Sequence, residues 1–203
     1  SWSAINDSVV SVLNAHGLWL EGSAGTVVSY SSAVTMSGSA YALFLQGADS
    51  NTVTDSYIEN QAGDAGRLQG GANYNAIRQT TMLTVSAGYA GLTLSGSDRN
   101  VVAGSSIQSL LGRALYVAGS STNTVLDSFI QGSTAVYIDG STGTVIGGSV
   151  LTVTDVFGSG LVLSSGSVNL ADFFTCRALS TVGGHLFVDQ PAAGLPMTTP
   201  IPI

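Results

Sequence analysis

The chain has no lysine, five arginines, one cysteine and four prolines in 203 residues, and only 8% of it is charged. Without lysine, and with a net charge of −7, it has almost no cations to set against phosphates, which excludes DNA and RNA as main partners. Gly, Ser, Thr or Asn interrupts every apolar run well short of the ~18 to 20 residues that a membrane span needs, so no membrane insertion is expected. The single Cys176 cannot form an internal disulfide and says nothing about redox compartment. The opening Ser1-Trp2-Ser3 lacks the basic start and apolar run of a signal peptide. What remains is an apolar chain, 44% hydrophobic, whose polarity comes from hydroxyls and amides and which carries enough residues to bury a core.

Three sequence columns repeat at one period, and together they determine the fold. An apolar-x-apolar triplet appears as Leu18-Trp19-Leu20, Leu43-Phe44-Leu45, a degenerate Gly66-Arg67-Leu68, Leu92-Thr93-Leu94, Leu115-Tyr116-Val117, Val136-Tyr137-Ile138, Leu161-Val162-Leu163 and Leu186-Phe187-Val188, with a mean interval of 24 residues. A second column holds Asn51-Thr52-Val53, Asn75-Ala76-Ile77, Asn100-Val101-Val102 and Asn123-Thr124-Val125, with Gly25-Thr26-Val27 and Gly143-Thr144-Val145 as variants. The third is Ser8-x-Val10, Ser32-x-Val34, Ser56-x-Ile58, Thr80-x-Met82, Ser105-x-Ile107 and Ser128-x-Ile130.

Each period contains short alternating runs separated by Gly, Asn or Ser-Gly turn signals, a strand pattern without helical spacing. One such strand cannot bury its inner face, but coiling each period onto the last gives parallel sheets around one core. The expected fold is all-β: a single-stranded parallel β-helix of about eight coils over residues 1–190, starting partway through a coil, with 191–203 as a Pro-rich tail or cap. Alternation sends Leu18 and Leu20 inward and Trp19 outward. Asn51, Asn75, Asn100 and Asn123 are expected to stack at an inward turn as a structural column, amide to amide. Gly22, Gly47, Gly70, Gly96, Gly119 and Gly140 mark a turn that needs a left-handed backbone.

On the L-x-L-x-G, N-T-V and S-x-I columns, over about residues 8–190, the chain resembles the right-handed parallel β-helix superfamily of pectate-lyase-like proteins and phage tailspikes. The resemblance implies right-handedness, which is also the rule for parallel crossovers. Activity does not follow from it.

At the start, Asp7-Ser8-Val9-Val10 matches Asp127-Ser128-Phe129-Ile130 and leaves a coil edge bare, so further chain is expected upstream. At the other end the repeat degrades after Val168, and Pro191, Pro196, Pro200 and Pro202 fit a cap, a strand stop or a link to another domain.

The outward positions Trp19, Phe44, Arg67, Thr93, Tyr116, Tyr137, Val162 and Phe187 would form an aromatic stripe about 34 Å long at the usual strand spacing. Such a stripe is a subunit interface, a sugar-stacking groove or a surface covered by the same chain. The trimeric tailspikes of the resembled family favour the first. Catalysis by paired carboxylates needs them about 5 to 9.5 Å apart. Asp55 and Asp127 stand three coils apart. Asp49 and Asp98 stand two coils apart, about 9.6 Å, on turns that they are expected to cap. For a calcium-assisted lyase of the resembled family, Glu59, Asp64 and Arg67 are the nearest match, although no family motif surrounds them and surface ion pairing is the favoured reading. His16 and His185 lie beside the first strand but seven coils apart, which excludes a shared metal. Cys176, in Phe173-Phe174-Thr175-Cys176, reads as a buried small residue. No nucleophile elbow, phosphate loop or zinc spacing occurs, so neither cofactor nor metal is expected.

The sequence therefore points to a non-catalytic binding or structural segment of an extracellular appendage, a surface adhesin or a phage tail fibre or spike. It would sit outside the cell, on its surface or on a virion, and associate side by side, a homotrimer being the family precedent, with polysaccharide as a further contact. A polysaccharide lyase or hydrolase of the same fold and a plain filament spacer are the alternatives.

Overall fold

The structure is a computed structural model that describes residues 3–155, 157–171, 175–176, 179–181 and 184–188. The tail 191–203 and the side-chain setting expected for Cys176 lie outside the described residues. All strand pairings are parallel, in three sheets of nine, eight and eight strands. Sheet A runs from Ser3–Asn6 to Gly184–Val188, sheet B from Val9–Val12 to Thr175–Cys176, and sheet C from Leu18–Glu21 to Leu179–Thr181. A coil gives one strand to each in turn, as Leu43–Gln46 does to C, Thr52–Thr54 to A and Tyr57–Asn60 to B. The chain is a right-handed parallel β-helix. No helix among the described residues is long and apolar enough to cross a membrane.

The coil repeat works because like stacks on like. Inward columns run Leu20, Leu45, Leu68, Leu94, Val117, Ile138 and Leu163 on sheet C, and Val28, Val53, Ile77, Val102, Val125 and Ile146 on sheet A. These side chains are almost wholly buried, and burial of each contributes about 1.5–3 kcal/mol. Corners need positive φ, and Gly22, Gly47, Gly70, Gly96, Gly119 and Gly140 supply it at +54° to +65°.

Register corrects the repeat in three places. In the second column the residue aligned with Asn51 is Thr26, and the one aligned with Asn123 is Thr144. Gly25 and Gly143 instead take the left-handed site just before the column, where Ser50, Tyr74, Arg99 and Thr122 stand in other coils. In the third column Ser31-x-Ala33, not Ser32-x-Val34, is in step, because Ala33 pairs with Ile58 and is buried while Val34 faces outward. At the end, Leu186-Phe187-Val188 is not a sheet C triplet: it pairs with Val168-Asn169-Leu170 in sheet A. The partner of Leu161 is Leu179, only 18 residues on, so the last coil is short and the triplet arrives one corner late. Phe187 leaves the stripe, and His185 leaves the position expected to match His16.

Candidate functional site

The corners are held by side-chain ladders that account for most of the buried polar groups. The Oδ1 of Asn75 accepts from both the backbone N–H (2.8 Å) and the Nδ2 (3.1 Å) of Asn51. Asn100 does the same for Asn75, and Asn123 for Asn100. The side-chain amides of Asn51, Asn75 and Asn123 also donate to a carbonyl of the preceding turn, that of Ser23, Ala48 and Ser97 respectively. The ladder starts at Thr26, whose N–H donates to Asn51 Oδ1, and stops at Thr144, whose buried Oγ1 has no hydrogen-bond partner in the structure. At the A–B corner, hydroxyls of Ser31, Ser56, Ser105, Ser128 and Ser149 each accept the N–H one coil before.

The same chemistry absorbs the carboxylates singled out in the sequence. Asp49 Oδ1 accepts the N–H of Asn73 (2.7 Å), Asn73 Oδ1 that of Asp98, and Asp98 Oδ1 that of Ser121 (both 2.6 Å). Asp49 and Asp98 thus belong to one surface ladder with Asn73 between them. Asp55 accepts from Thr54 and, like Asp127, occupies a left-handed corner residue. Glu59 uses one oxygen for the Tyr57 hydroxyl (2.8 Å) and the other for Gln61 Nε2 (3.1 Å). Burial, with Glu59 beside it, pushes the Tyr57 phenol up to about 12.

Glu59, Asp64 and Arg67, adjacent in sequence, part company in space. Glu59 stays on sheet B. Asp64 lies in the loop leading to sheet C, where Oδ1 accepts the N–H of Ala90 (2.8 Å) and Oδ2 the Thr93 hydroxyl (3.1 Å). Arg67, on sheet C, reaches Asp64 at 3.8 Å and donates to the Tyr41 hydroxyl at 3.2 Å.

These loops break the outer stripe of sheet C into two clusters. Alternation predicts Phe44 and Thr93 to be exposed, yet they are 4% and 2% exposed, because the loops between sheets B and C lay Tyr41 and Asp64 against them. Around Phe44 the rings of His16, Trp19 and Tyr41 lie 4.8, 5.9 and 4.9 Å away, and only Trp19 remains half open at 52%. His16 is fixed there by its Nδ1, which accepts the N–H of Tyr41 at 2.9 Å. Further along, the Arg113 guanidinium lies 4.7 Å from the Tyr116 ring and 4.1 Å from that of Tyr137, a cation–π pair on both sides. Arg113 and Tyr41 went unnoticed in the sequence. Tyr41 lies in the loop ahead of its sheet C strand, while Arg113 opens the sheet C strand Arg113–Ala118, in register with Thr134, one turn of the alternation before the apolar triplet.

A family model described as periplasmic copper-binding protein (NosD) matches residues 3–148. Among curated proteins no sequence matches the chain. Solved structures of similar fold include the Agl-KA catalytic domain (TM-score 0.53, 13% identity, 91% of this chain and 47% of that one). Another is the A-module of the mannuronan C-5 epimerase AlgE4 of Azotobacter vinelandii (TM-score 0.51, 12% identity, 94% and 57%). The chain spans about half the length of these structures, and likeness at such identity concerns the fold alone. Copper, which the family description names, needs several His, Cys or Met donors converging. Among the described residues no three His, Cys, Asp or Glu come together. His16 Nδ1 already accepts from Tyr41, and Met82 is buried in the core. The described residues do not fit a copper ion.

Proposed function

The chain belongs to the periplasmic copper-binding protein (NosD) family, and from that premise we propose that it is a non-catalytic binding β-helix working outside the cytoplasm, in the periplasm or at the cell surface. Its working surface is sheet C, and its ligand class is carbohydrate. One observation carries this reading: the half-open Trp19 ring stands beside His16 and Phe44, with the Arg67–Asp64 pair next to them. An aromatic face with polar groups at its border suits the apolar face and hydroxyl rim of a sugar.

The non-catalytic half of the reading is supported by the engagement of every candidate acid in hydrogen bonds that hold the fold, Asp49 and Asp98 with backbone N–H groups, Asp64 with backbone and Thr93, and Glu59 with Tyr57 and Gln61. Side-by-side association through sheet C is a second element of the proposal, favoured by the cluster of the half-buried Tyr116 and Tyr137 rings with the exposed Arg113.

The test is affinity electrophoresis of the chain and its Trp19→Ala variant through a panel of neutral and acidic polysaccharides, alongside an assay for released sugar. Retardation that Trp19→Ala abolishes, with no sugar released, is the expected result. Sugar release that Asp64→Asn or Glu59→Gln abolishes overturns the proposal in favour of a lyase or hydrolase of the same fold.

A further inference from the structure

At the other end of the sheet A strands from the ladder of asparagines, the A–B corner carries an open groove of about 660 Å³ whose lining includes Asp7, Tyr30, Ser32, Asp55, Tyr57 and Gln79. It arises from one register column. Asp7, Tyr30, Asp55 and Gln79 each follow the last residue of a sheet A strand in successive coils, and all four have positive φ, between 42° and 50°. This left-handed conformation points their side chains away from the sheet rather than into the core. Adjacent coils are about 4.8 Å apart, so Asp7 and Asp55 stand about 10 Å apart along the axis with Tyr30 between them.

The two carboxylates here are less engaged than the acids described above. Asp7 has no hydrogen bond or ion pair to another described side chain, and Asp55 accepts only from Thr54, through Oδ2. Tyr30 is 66% exposed and Tyr57 36%, each offering a ring face. No arginine lines the groove. Two uncompensated carboxylates flanking aromatic rings attract a cation, by charge-assisted hydrogen bonds at the edges and by the ring faces between them. The Ser32 hydroxyl and the Gln79 amide add neutral hydrogen-bonding groups that suit a ligand with hydroxyls.

We propose that this groove binds an ammonium-bearing sugar, an amino-sugar unit whose nitrogen is not acetylated, with the ammonium at Asp7 or Asp55 and the ring against Tyr30. The site is distinct from sheet C and does not depend on the reading given to that face.

Calorimetric titration of the chain with a glucosamine oligomer tests it, with the fully N-acetylated oligomer and spermidine as comparisons. The glucosamine oligomer is expected to bind at least about tenfold more tightly than either comparison, the scale of one charged hydrogen bond. Asp7→Asn with Asp55→Asn should lower that affinity by at least about tenfold. Asn tolerates the left-handed backbone, so the fold is kept. Tyr30→Asn, tolerated for the same reason, should weaken binding as well, and Trp19→Ala should leave it unchanged. Equal binding of the acetylated oligomer, equal binding of spermidine, or unchanged affinity in both the Asp and Tyr30 variants overturns the proposal. Loss of binding in Trp19→Ala alone places the ligand on sheet C instead.

Discussion

Met82 fills the space that Gly66 leaves empty. In the sheet C column Leu18, Leu43, Gly66, Leu92, the glycine removes a whole side chain, and a Cβ placed there would lie 3.1 Å from Met82 Sδ and 3.2 Å from Leu92 Cδ1. Met82 sits in a sheet B column between Ile58 on one side and Ile107 and Ile130 on the other, and its longer, flexible side chain crosses the core to the gap.

Gly66→Leu, which restores the column, should therefore destabilise the protein by about 1–3 kcal/mol through overpacking. Met82→Ala should cost about 2–5 kcal/mol. Combined, the two should cost less than their sum, since each relieves the other. Urea denaturation of the four proteins measures the coupling, and strict additivity would show that the two residues do not share the space.

The ladders separate in energy. Asn75→Ala strands two donors of Asn51 in the interior and should lower stability by at least about 1–3 kcal/mol, the cost of a buried group left unpaired. Asn73→Ala removes one bond from a half-buried surface ladder, where water replaces it, and should cost under about 1 kcal/mol. Thermal midpoints of the two variants should fall in that order.

Arg113→Ala removes the cation from over Tyr116 and Tyr137, whose rings stay in edge-to-face contact at 5.6 Å, and should lower stability by about 1 kcal/mol, with an unchanged denaturant slope. Arg113→Lys should recover only part of this, because a planar guanidinium can stack on an aromatic face and an ammonium cannot.

Tyr57 makes the alkaline limb of stability predictable. Its pKa is raised in the folded chain from 10.0 to about 12, so the folded state holds the proton where the unfolded chain has released it. The stabilisation is complete below pH 10 and is lost as pH rises towards 12. In an ultraviolet titration one of the seven tyrosines should ionise last, near 12, and that step should vanish in Tyr57→Phe.

Association through sheet C should appear in light scattering as a mass above the 20.5 kDa of one chain that returns to the monomer value in Tyr116→Ser with Tyr137→Ser. A monomer mass at every concentration removes that element of the proposal.

The period, the inward columns and the turn glycines were legible in the sequence because each rests on a rule that repeats every coil. Frame was harder wherever two neighbouring residues satisfy the same rule. Ser31 and Ser32 are both serines, and only the burial of Ala33 separates them. Gly25-Thr26 and Asn51-Thr52 look aligned because both end in Thr, yet Gly25 is the left-handed residue and Thr26 the ladder residue. The short last coil displaced Phe187 for want of any punctuation to announce it. Least legible were the B-to-C loops: they differ in length from coil to coil, so no column predicts that Tyr41 will cover Phe44 or that Asp64 will reach Ala90.

The asparagine ladder runs one way: each Oδ1 accepts from the coil before it, and Asn51, Asn75 and Asn100 give their own N–H to the coil after. Any junction between Asn51 and Asn123 is therefore chemically the same as the next. Excising residues 76–100 would join Asn75 to the Val101 strand and offer Asn75 to Asn123 in place of Asn100, with the donor and acceptor types unchanged. As far as this ladder is concerned, the reach of the molecule is an integer quantity, lengthened or shortened by whole coils of about 4.8 Å with the corner chemistry unchanged. A lineage built on it can fit its surface to a longer or shorter target by counting.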